Sequence, residues 1–404
     1  MSRTTHRVVV LGAGAAGASA ARALAEAPDG ASPDGASPDR ASPDGASPDV
    51  DVTLVARTGE TPYNRMLVKA VAHGQLTPEL VRMHLPSATL LADSAQDVDT
   101  DARLVRLESG HRLPYDCLVV ATGSRPRTID RTIEGVAHAQ RLGLVTTLHS
   151  LADAVHVRDS LAAHDRPGRV ICYGGGVTAA ETASTLSRDG HHVTLVARST
   201  VPGTRAFGAD AAAVIADDHH AHLAATRFGR TVEAVHAREH GIDVHLDDGS
   251  VITGDLLVVA LGTLPSAPAP WRGAVAVDDR LRAQATGVYA AGGVAVHHDG
   301  LGTWRIDHWE DAVAQGAHAA AMVLAALGRA PDPGPYRPRS PFVAQVHGRT
   351  VAGAGLTTHA STRRSPSEQL TLHQHRDTVV GVSGVDAVAA VYRWSPLLHD
   401  AAPS

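Results

Sequence analysis

Two short glycine runs carry the densest chemical information in this chain. Gly12-Ala13-Gly14-Ala15-Ala16-Gly17 follows the apolar stretch Val8-Val9-Val10-Leu11 and opens an alanine-rich segment. A glycine at the first position permits a tight turn, one at the second lets the backbone approach a pyrophosphate, and one at the third allows close packing. The N-terminus of the following helix then stabilises the phosphate charge. Gly174-Gly175-Gly176-Val177-Thr178-Ala179 repeats the pattern, with alanine in the third glycine position. Gly12, Gly14, Ala15, Ala16 and Gly17 are therefore expected against one dinucleotide, and Gly174, Gly176, Val177 and Thr178 against a second. Two such runs in one chain point to hydride transfer between a nicotinamide and a flavin.

The elements around these runs have the order such chemistry needs. The first run sits between a strand at Val8 to Leu11 and a helix reaching about Ala27, the opening of a βαβ unit, with a second strand at Val52 to Ala56 and, at its end, Arg57 as a candidate cofactor-binding residue. Hairpin-like segments span Ala88 to Leu113, and the buried strand Cys117 to Ala121 ends at Thr122-Gly123. A second complete βαβ pattern runs from Arg169 through a helix to about Arg188 and a strand from His192 to Ala197. Later strands at Leu256 to Gly262 and Gly287 to Gly293 return to parallel-sheet character, and a helix from about Glu310 to Leu327 follows. Arg329 to Tyr336, rich in proline and glycine, reads as a linker. The repeated Ala-Ser-Pro-Asp-Gly unit from Ala31 to Val50 places a proline every few residues, which excludes helix and ladder and predicts a solvated loop.

The chain has 404 residues, 44% of them apolar and only 3% aromatic, so its cores must be built from Ala, Val and Leu. That length predicts two or three domains of α/β class with helix-covered parallel sheets. A net charge of −6 with no long basic run gives no reason to expect a nucleic acid, and no apolar run has the length of a membrane helix. The two cysteines, Cys117 and Cys172, lie within apolar runs and read as buried hydrophobes, which fits a cytoplasmic protein. The histidine-rich Asp217 to His222 stretch reads as an exposed polar helix face rather than a metal site.

Beyond the two fingerprints, Pro62-Tyr63-Asn64-Arg65, the strand end Ala121-Thr122-Gly123, Glu181, and Asp307-His308-Trp309-Glu310-Asp311-Ala312 complete a set of motifs. With them the chain resembles the pyridine nucleotide-disulfide oxidoreductase superfamily, in its ferredoxin reductase and nitrite reductase-like flavoprotein branch. The resemblance implies that the first fingerprint binds FAD, that Arg65 lies by the flavin, and that Glu181 lies near the nicotinamide. It implies further contacts to the cofactors from Ala121, Thr122, Gly123, Gly262, Gly292, Gly293, His308, Trp309 and Glu310. The helix near Glu310 would aim its N-terminus at the flavin pyrimidine edge.

The chain also departs from its relatives. Neither the Cys-x4-Cys pair of disulfide reductases nor the single cysteine of peroxide-reducing members is present, so electrons are expected to leave directly from the flavin. Ala290-Ala291-Gly292-Gly293 stands where the family ends a strand in Ala-x-Gly-Asp, whose aspartate bonds the FAD ribityl chain. Ala70 stands in the place of a family lysine, with Lys69 one residue earlier as the nearest candidate. Pro341-Phe342-Val343-Ala344 replaces an aromatic pair of relatives, which favours a small organic acceptor over a protein. The strand end Val196-Ala197-Arg198-Ser199 lacks the acid that binds an NAD ribose; Arg198, helped by Arg205, suits a 2′-phosphate and leans the reading from NADH toward NADPH. His298, after the altered glycine turn, is a candidate proton donor.

The expected architecture is two Rossmann-like dinucleotide-binding domains plus a smaller α+β C-terminal domain. FAD belongs to 1–125 and 250–330, NAD(P) to 126–249, and an interface domain to 331–404. The expected protein is a monomer or homodimer that passes electrons from NAD(P)H through FAD to a small molecule or a small electron-carrier protein. A biosynthetic flavoenzyme acting on a small metabolite and a non-catalytic nucleotide-binding flavoprotein are the alternatives.

Overall fold

The structure, a computed structural model, describes residues 5–26, 50–57, 62–83, 88–358, 361–365 and 370–400. Most of the repeat insert expected at 31–50 lies outside the described residues. The chain divides into two compact units, one drawn from Met1–Asn64, Arg82–Arg125 and Leu264–Arg337, the other from Arg65–Val81, Pro126–Thr263 and Pro338–Ser404.

The first unit is built on a five-stranded parallel sheet in the order Val288–Ala290, Cys117–Val120, His6–Leu11, Val50–Ala56, Thr89–Ala92. Val8 to Leu11 and Cys117 to Val120 are buried throughout, which is why both strands read as continuous apolar runs rather than alternating ones. Two helices, Ala15–Ala25 and Trp309–Ala326, pack on one another through small residues. A Cβ on Gly316 would lie 2.1 Å from the carbonyl oxygen of Ala16, so only glycine lets the backbones come this close. Two small three-stranded sheets complete the unit, one of them formed by Val275–Val277, Ala295–Asp299 and Gly302–Trp304.

The second unit repeats the design with the order Ala225–Phe228, His192–Ala197, Arg169–Tyr173, Leu256–Val259, Val145–Thr147, all parallel. Here the structure moves an expected boundary. Leu256–Val259, assigned from sequence to the first domain, pairs with Arg169–Tyr173 from Val170↔Leu256 to Tyr173↔Val259. Asp255 fixes the junction, accepting hydrogen bonds from Arg166 Nη1 at 2.7 Å and from the backbone and guanidinium of Arg169, both at 2.8 Å. Burial alone would raise this carboxyl, but the hydrogen bonds from Arg166 and Arg169 outweigh it and hold the group well below the usual carboxylate range.

The expected separate C-terminal domain is likewise joined to the second unit. Its antiparallel sheet runs Pro341–Val346, Arg349–Gly355, Thr378–Val385, Leu370–His375, Ser361–Ser365. Ala344, Val346 and Val351 of that sheet share one core with Ala180, Phe207 and Ile215 of the nucleotide-binding part. His219 on the Ala209–His222 helix, expected on an exposed face, is 1% exposed instead, with Nδ1 2.8 Å from Nε2 of His347. Burial pushes His219 down to about 3, so it is a neutral packing group. No helix among the described residues is long and apolar enough to cross a membrane.

Candidate functional site

The first glycine run turns the chain from His6–Leu11 into Ala15–Ala25. Gly12 takes φ +99°, and its N–H donates to Val55 O at 2.8 Å. A Cβ on Gly17 would lie 1.7 Å from Gly12 O, so turn and helix touch backbone to backbone. Gly14 caps the helix with no side-chain hydrogen bond, and the first turn carries no acid. The N–H groups of a helix first turn and the positive end of the helix dipole are what a phosphate binds. Ala15 and Ala16 lie in that first turn.

The residues around this turn fit the expected cofactor. A Cβ on Gly14 or Gly123 meets nothing within 4 Å, which leaves the backbone open to a ligand. Thr122 Oγ1 is shielded from solvent yet makes no hydrogen bond among the described residues. Beside it, Ala121 N donates to Leu11 O at 2.8 Å, closing the neighbouring strand end. Arg57 is exposed where Val50–Ala56 ends.

The Gly292-Gly293 turn is held to the same unit by a buried relay, of which only Asp311 belongs to a motif of the sequence. Gly292 N donates to Gln315 Oε1 at 2.8 Å, Gln315 Nε2 donates to Asp311 at 2.6 Å, and Tyr336 Oη donates to Asp311 at 2.7 Å. His308 caps the Trp309–Ala326 helix in extended conformation, with Trp309 half-buried and Glu310 exposed in the first turn. Of the paired histidines, His297 is the buried one, stacked on Trp304 at 3.6 Å. His298 is exposed, with Nδ1 3.0 Å from Thr303 Oγ1.

Asp311 yields a pH prediction. Burial pushes its carboxyl up to about 6, against the hydrogen bonds from Tyr336 and Gln315 that pull the other way. The folded value lies above the unfolded 3.8, so the folded protein holds the proton more tightly. The stability Asp311 contributes is full below the unfolded value and is lost as pH rises through about 6. Thermal melts should therefore show Asp311→Asn gaining on the wild type as pH rises through this window, by an amount approaching about 3 kcal/mol. A difference constant with pH would contradict this assignment.

In the second unit, Gly174 N donates to Val196 O at 2.9 Å, and a Cβ on Gly174 would lie 2.1 Å from Ala260 O. Gly176 caps Val177–Arg188 without a side-chain hydrogen bond or a first-turn acid, and Val177 and Thr178 are half-buried at the start of the helix. Gly262 takes φ +83° where the chain leaves the sheet. Arg198, Ser199 and Arg205 are exposed, the first two directly after His192–Ala197.

Glu181 on that helix is held from two sides. Lys69 Nζ donates to Glu181 Oε2 in a short ion pair, while Gln345 N donates to Oε1 at 3.3 Å. The side chains are 22% and 15% exposed. Lys69, left one residue out of register by the sequence comparison, is thus the lysine that meets Glu181; Val68–Ala72 is a short helix, and its turn carries Lys69 to the partner. On the same segment, Arg65 Nη2 lies 2.7 Å from a ring nitrogen of His149. Lys69→Met should slow reduction by nicotinamide about tenfold, a change of about 1.4 kcal/mol, with flavin content unchanged. An unaltered rate in stopped-flow reduction would contradict a role for the pair.

A family model described as pyridine nucleotide-disulphide oxidoreductase matches residues 6–316. Among curated proteins, a rubredoxin-NAD(+) reductase of Pseudomonas putida is 27% identical over 321 residues, covering 75% of this chain and 80% of that protein. Among solved structures, the covalent putidaredoxin reductase-putidaredoxin complex superposes with a TM-score of 0.81 at 21% identity, over 98% of this chain and 93% of the other. The water-forming NADH oxidase of Lactobacillus brevis and its engineered NADPH-oxidase mutant each give a TM-score of 0.73 at 20% identity, over 97% of this chain and 90% of theirs.

Proposed function

The chain belongs to the pyridine nucleotide-disulphide oxidoreductase family, and on that footing we propose that it is an NADPH-dependent reductase of a small electron-carrier protein. It is an FAD-dependent NAD(P)H oxidoreductase; the proposal concerns its donor, its acceptor and the residues that serve them. The observation that carries it is the recurrence of one construction in both units. Each has an uncapped helix N-terminus after a parallel strand, with a glycine whose Cβ would strike neighbouring backbone.

At the first of these turns, FAD would supply the chemistry of hydride acceptance and onward electron transfer. The protein's share is binding and orientation. The Gly14 and Gly176 helix ends hold pyrophosphates by N–H donation and dipole. Asp311, Gln315 and Gly292 fix the turn at the edge of the flavin site, and Lys69 with Gln345 N fixes the Glu181 carboxylate for the nicotinamide. Cys117 and Cys172 are buried, and burial pushes their thiols up to about 11 and about 12, so neither supplies a thiolate relay. This supports a route with no redox-active disulfide, and two unpaired thiols suit a cytoplasmic setting.

For the donor, curated relatives carry NAD(+) in their names, but the strand end of this chain favours NADPH. The engineered oxidase carries consecutive replacements of Asp-Ala-Met by Ala-Arg-Ser, and it is bound to NADPH. This chain has Ala197-Arg198-Ser199 at the end of a strand. The oxidase also carries a glycine-to-alanine replacement as far ahead of that run as Ala179 stands ahead of Ala197. A guanidinium and a hydroxyl suit a 2′-phosphate, which a carboxylate would repel.

For the acceptor, the names of the relatives supply the support: rubredoxin for one and putidaredoxin for another. The test supplies NADPH and measures electron transfer to purified rubredoxin and to a ferredoxin of the putidaredoxin type, against a quinone as small organic acceptor. Reduction of an iron-sulfur carrier at a higher kcat/KM than the quinone is expected. Turnover with the quinone alone would favour the small-metabolite reading that the Pro341-Phe342-Val343-Ala344 segment suggests.

A further inference from the structure

Gly293 has no side chain to offer a ligand, and the structure shows what fills the room beside it. A Cβ built on Gly293 would lie 2.2 Å from Oδ1 and 2.9 Å from Cγ of Asp307. The carboxyl group of Asp307 therefore occupies the space into which a residue at 293 would project. Its position is fixed from two sides. Ser124 Oγ donates to Asp307 Oδ2 at 2.7 Å, and Arg305 Nη1 lies 3.4 Å from the same oxygen while donating to Gly293 O at 2.7 Å. One guanidinium thus ties the Gly293 backbone to the Asp307 carboxylate.

The neighbours of this carboxylate lie beside the first fingerprint. Ser124 directly follows Thr122 and Gly123, where a shielded hydroxyl lacks a partner among the described residues and the backbone is open. Gly292 abuts the fingerprint helix, since its Cβ would lie 3.0 Å from Ala16 Cβ. The Asp307 side chain is 24% exposed, so it is neither sunk in the core nor free in solvent. Carboxylate, backbone turn and fingerprint all belong to one unit.

We infer that Asp307 is a flavin-binding residue, its carboxylate accepting a hydrogen bond from a hydroxyl of the FAD polyol chain, and that Gly293 is required because any side chain there would displace it. The inference rests on the FAD reading above and deepens it. It treats positions 293 and 307 as alternatives, of which one supplies the carboxylate and the other must stay small. A charge-assisted hydrogen bond of this kind changes affinity by about tenfold or more.

The test is FAD affinity, measured on apoprotein by quenching of flavin fluorescence, with no turnover involved. Asp307→Ala and the shape-keeping Asp307→Asn are each expected to weaken FAD by about tenfold or more. Gly293→Asp alone should also weaken it, because two carboxylates would contend for one space. The double variant Gly293→Asp/Asp307→Ala should return toward wild-type affinity, a coupling that a fold defect would not produce. Wild-type affinity in Asp307→Asn with an unchanged melting temperature, or a double variant no better than Asp307→Ala, would overturn the inference and leave the FAD reading standing. A wild-type protein that takes up no FAD would overturn both.

Discussion

Gly17→Ala is expected to give a purified protein without flavin. The added Cβ would lie 1.7 Å from Gly12 O and 2.9 Å from Gly12 C, far inside contact distance. Gly12 cannot retreat. Its N–H is bonded to Val55 O, its φ of +99° already suits only glycine, and its own Cβ position faces Ala121 O at 2.4 Å. The helix must lift instead, carrying its N–H groups away from the phosphates. Overpacking of this kind costs about 1–3 kcal/mol before any lost phosphate contact is counted. FAD affinity should therefore fall at least about a hundredfold, a change of about 2.7 kcal/mol. Gly14→Ala makes the control, since its Cβ meets nothing within 4 Å. It should fold as the wild type does and weaken FAD only through the close approach of the ligand. The ratio of flavin to protein absorbance after gel filtration reads both, and a yellow Gly17→Ala protein would contradict the cradle.

Arg198→Glu is expected to reverse the choice of nicotinamide. The guanidinium stands exposed at the strand end where an NAD-binding chain presents an acid to the ribose hydroxyls. With arginine, a 2′-phosphate gains charge-assisted hydrogen bonds of about 1.5–3 kcal/mol each. With glutamate, the phosphate meets like charge and the NADH ribose gains an acceptor. The ratio of kcat/KM for NADPH to that for NADH should drop by at least about a hundredfold, since both effects act in the same direction. Flavin content should not change. A ratio that stays fixed would make Arg198 a solvent-facing residue and remove the argument for NADPH.

What the sequence made legible was the local part of this design. A strand, a glycine turn and a helix are consecutive in the chain, so the spacing of Gly12, Gly14 and Gly17 carries the geometry with it. Long-range pairing is another matter. Leu256–Val259 is as apolar as Cys117–Val120, and nothing in its own residues says which parallel sheet it will join. The register of Val170 with Leu256, and Asp255 gathering Arg166 and Arg169, decide that only once the chain has folded. The core that Ala344 and Val346 share with Phe207 was hidden for the same reason.

Among candidate site residues, a place on a helix can be read from the sequence, whereas the neighbour a side chain meets cannot. Glu181 is a candidate from its place after a fingerprint and Lys69 from its place beside Ala70, but that the two meet in an ion pair is a tertiary fact. Asp311 belongs to a motif visible in the sequence, but its burial and its hydrogen bonds from Gln315 and Tyr336 are tertiary facts. Gly293 read as a loss, and the compensating carboxylate lies on a different stretch of chain. His219 misled because a run of histidines and aspartates suggests solvent, while the helix turns that one ring toward His347.

In the proposed function each unit of this chain holds one dinucleotide, and the nicotinamide reduces the flavin. Anaerobic absorbance titration of the purified protein, first incubated with FAD, against NADPH and NADH in separate runs tests it most directly. A bound flavin spectrum that bleaches with either nucleotide, and at lower concentrations of NADPH, is expected. A protein that stays colourless after incubation, or a flavin band that neither nucleotide diminishes, would contradict it.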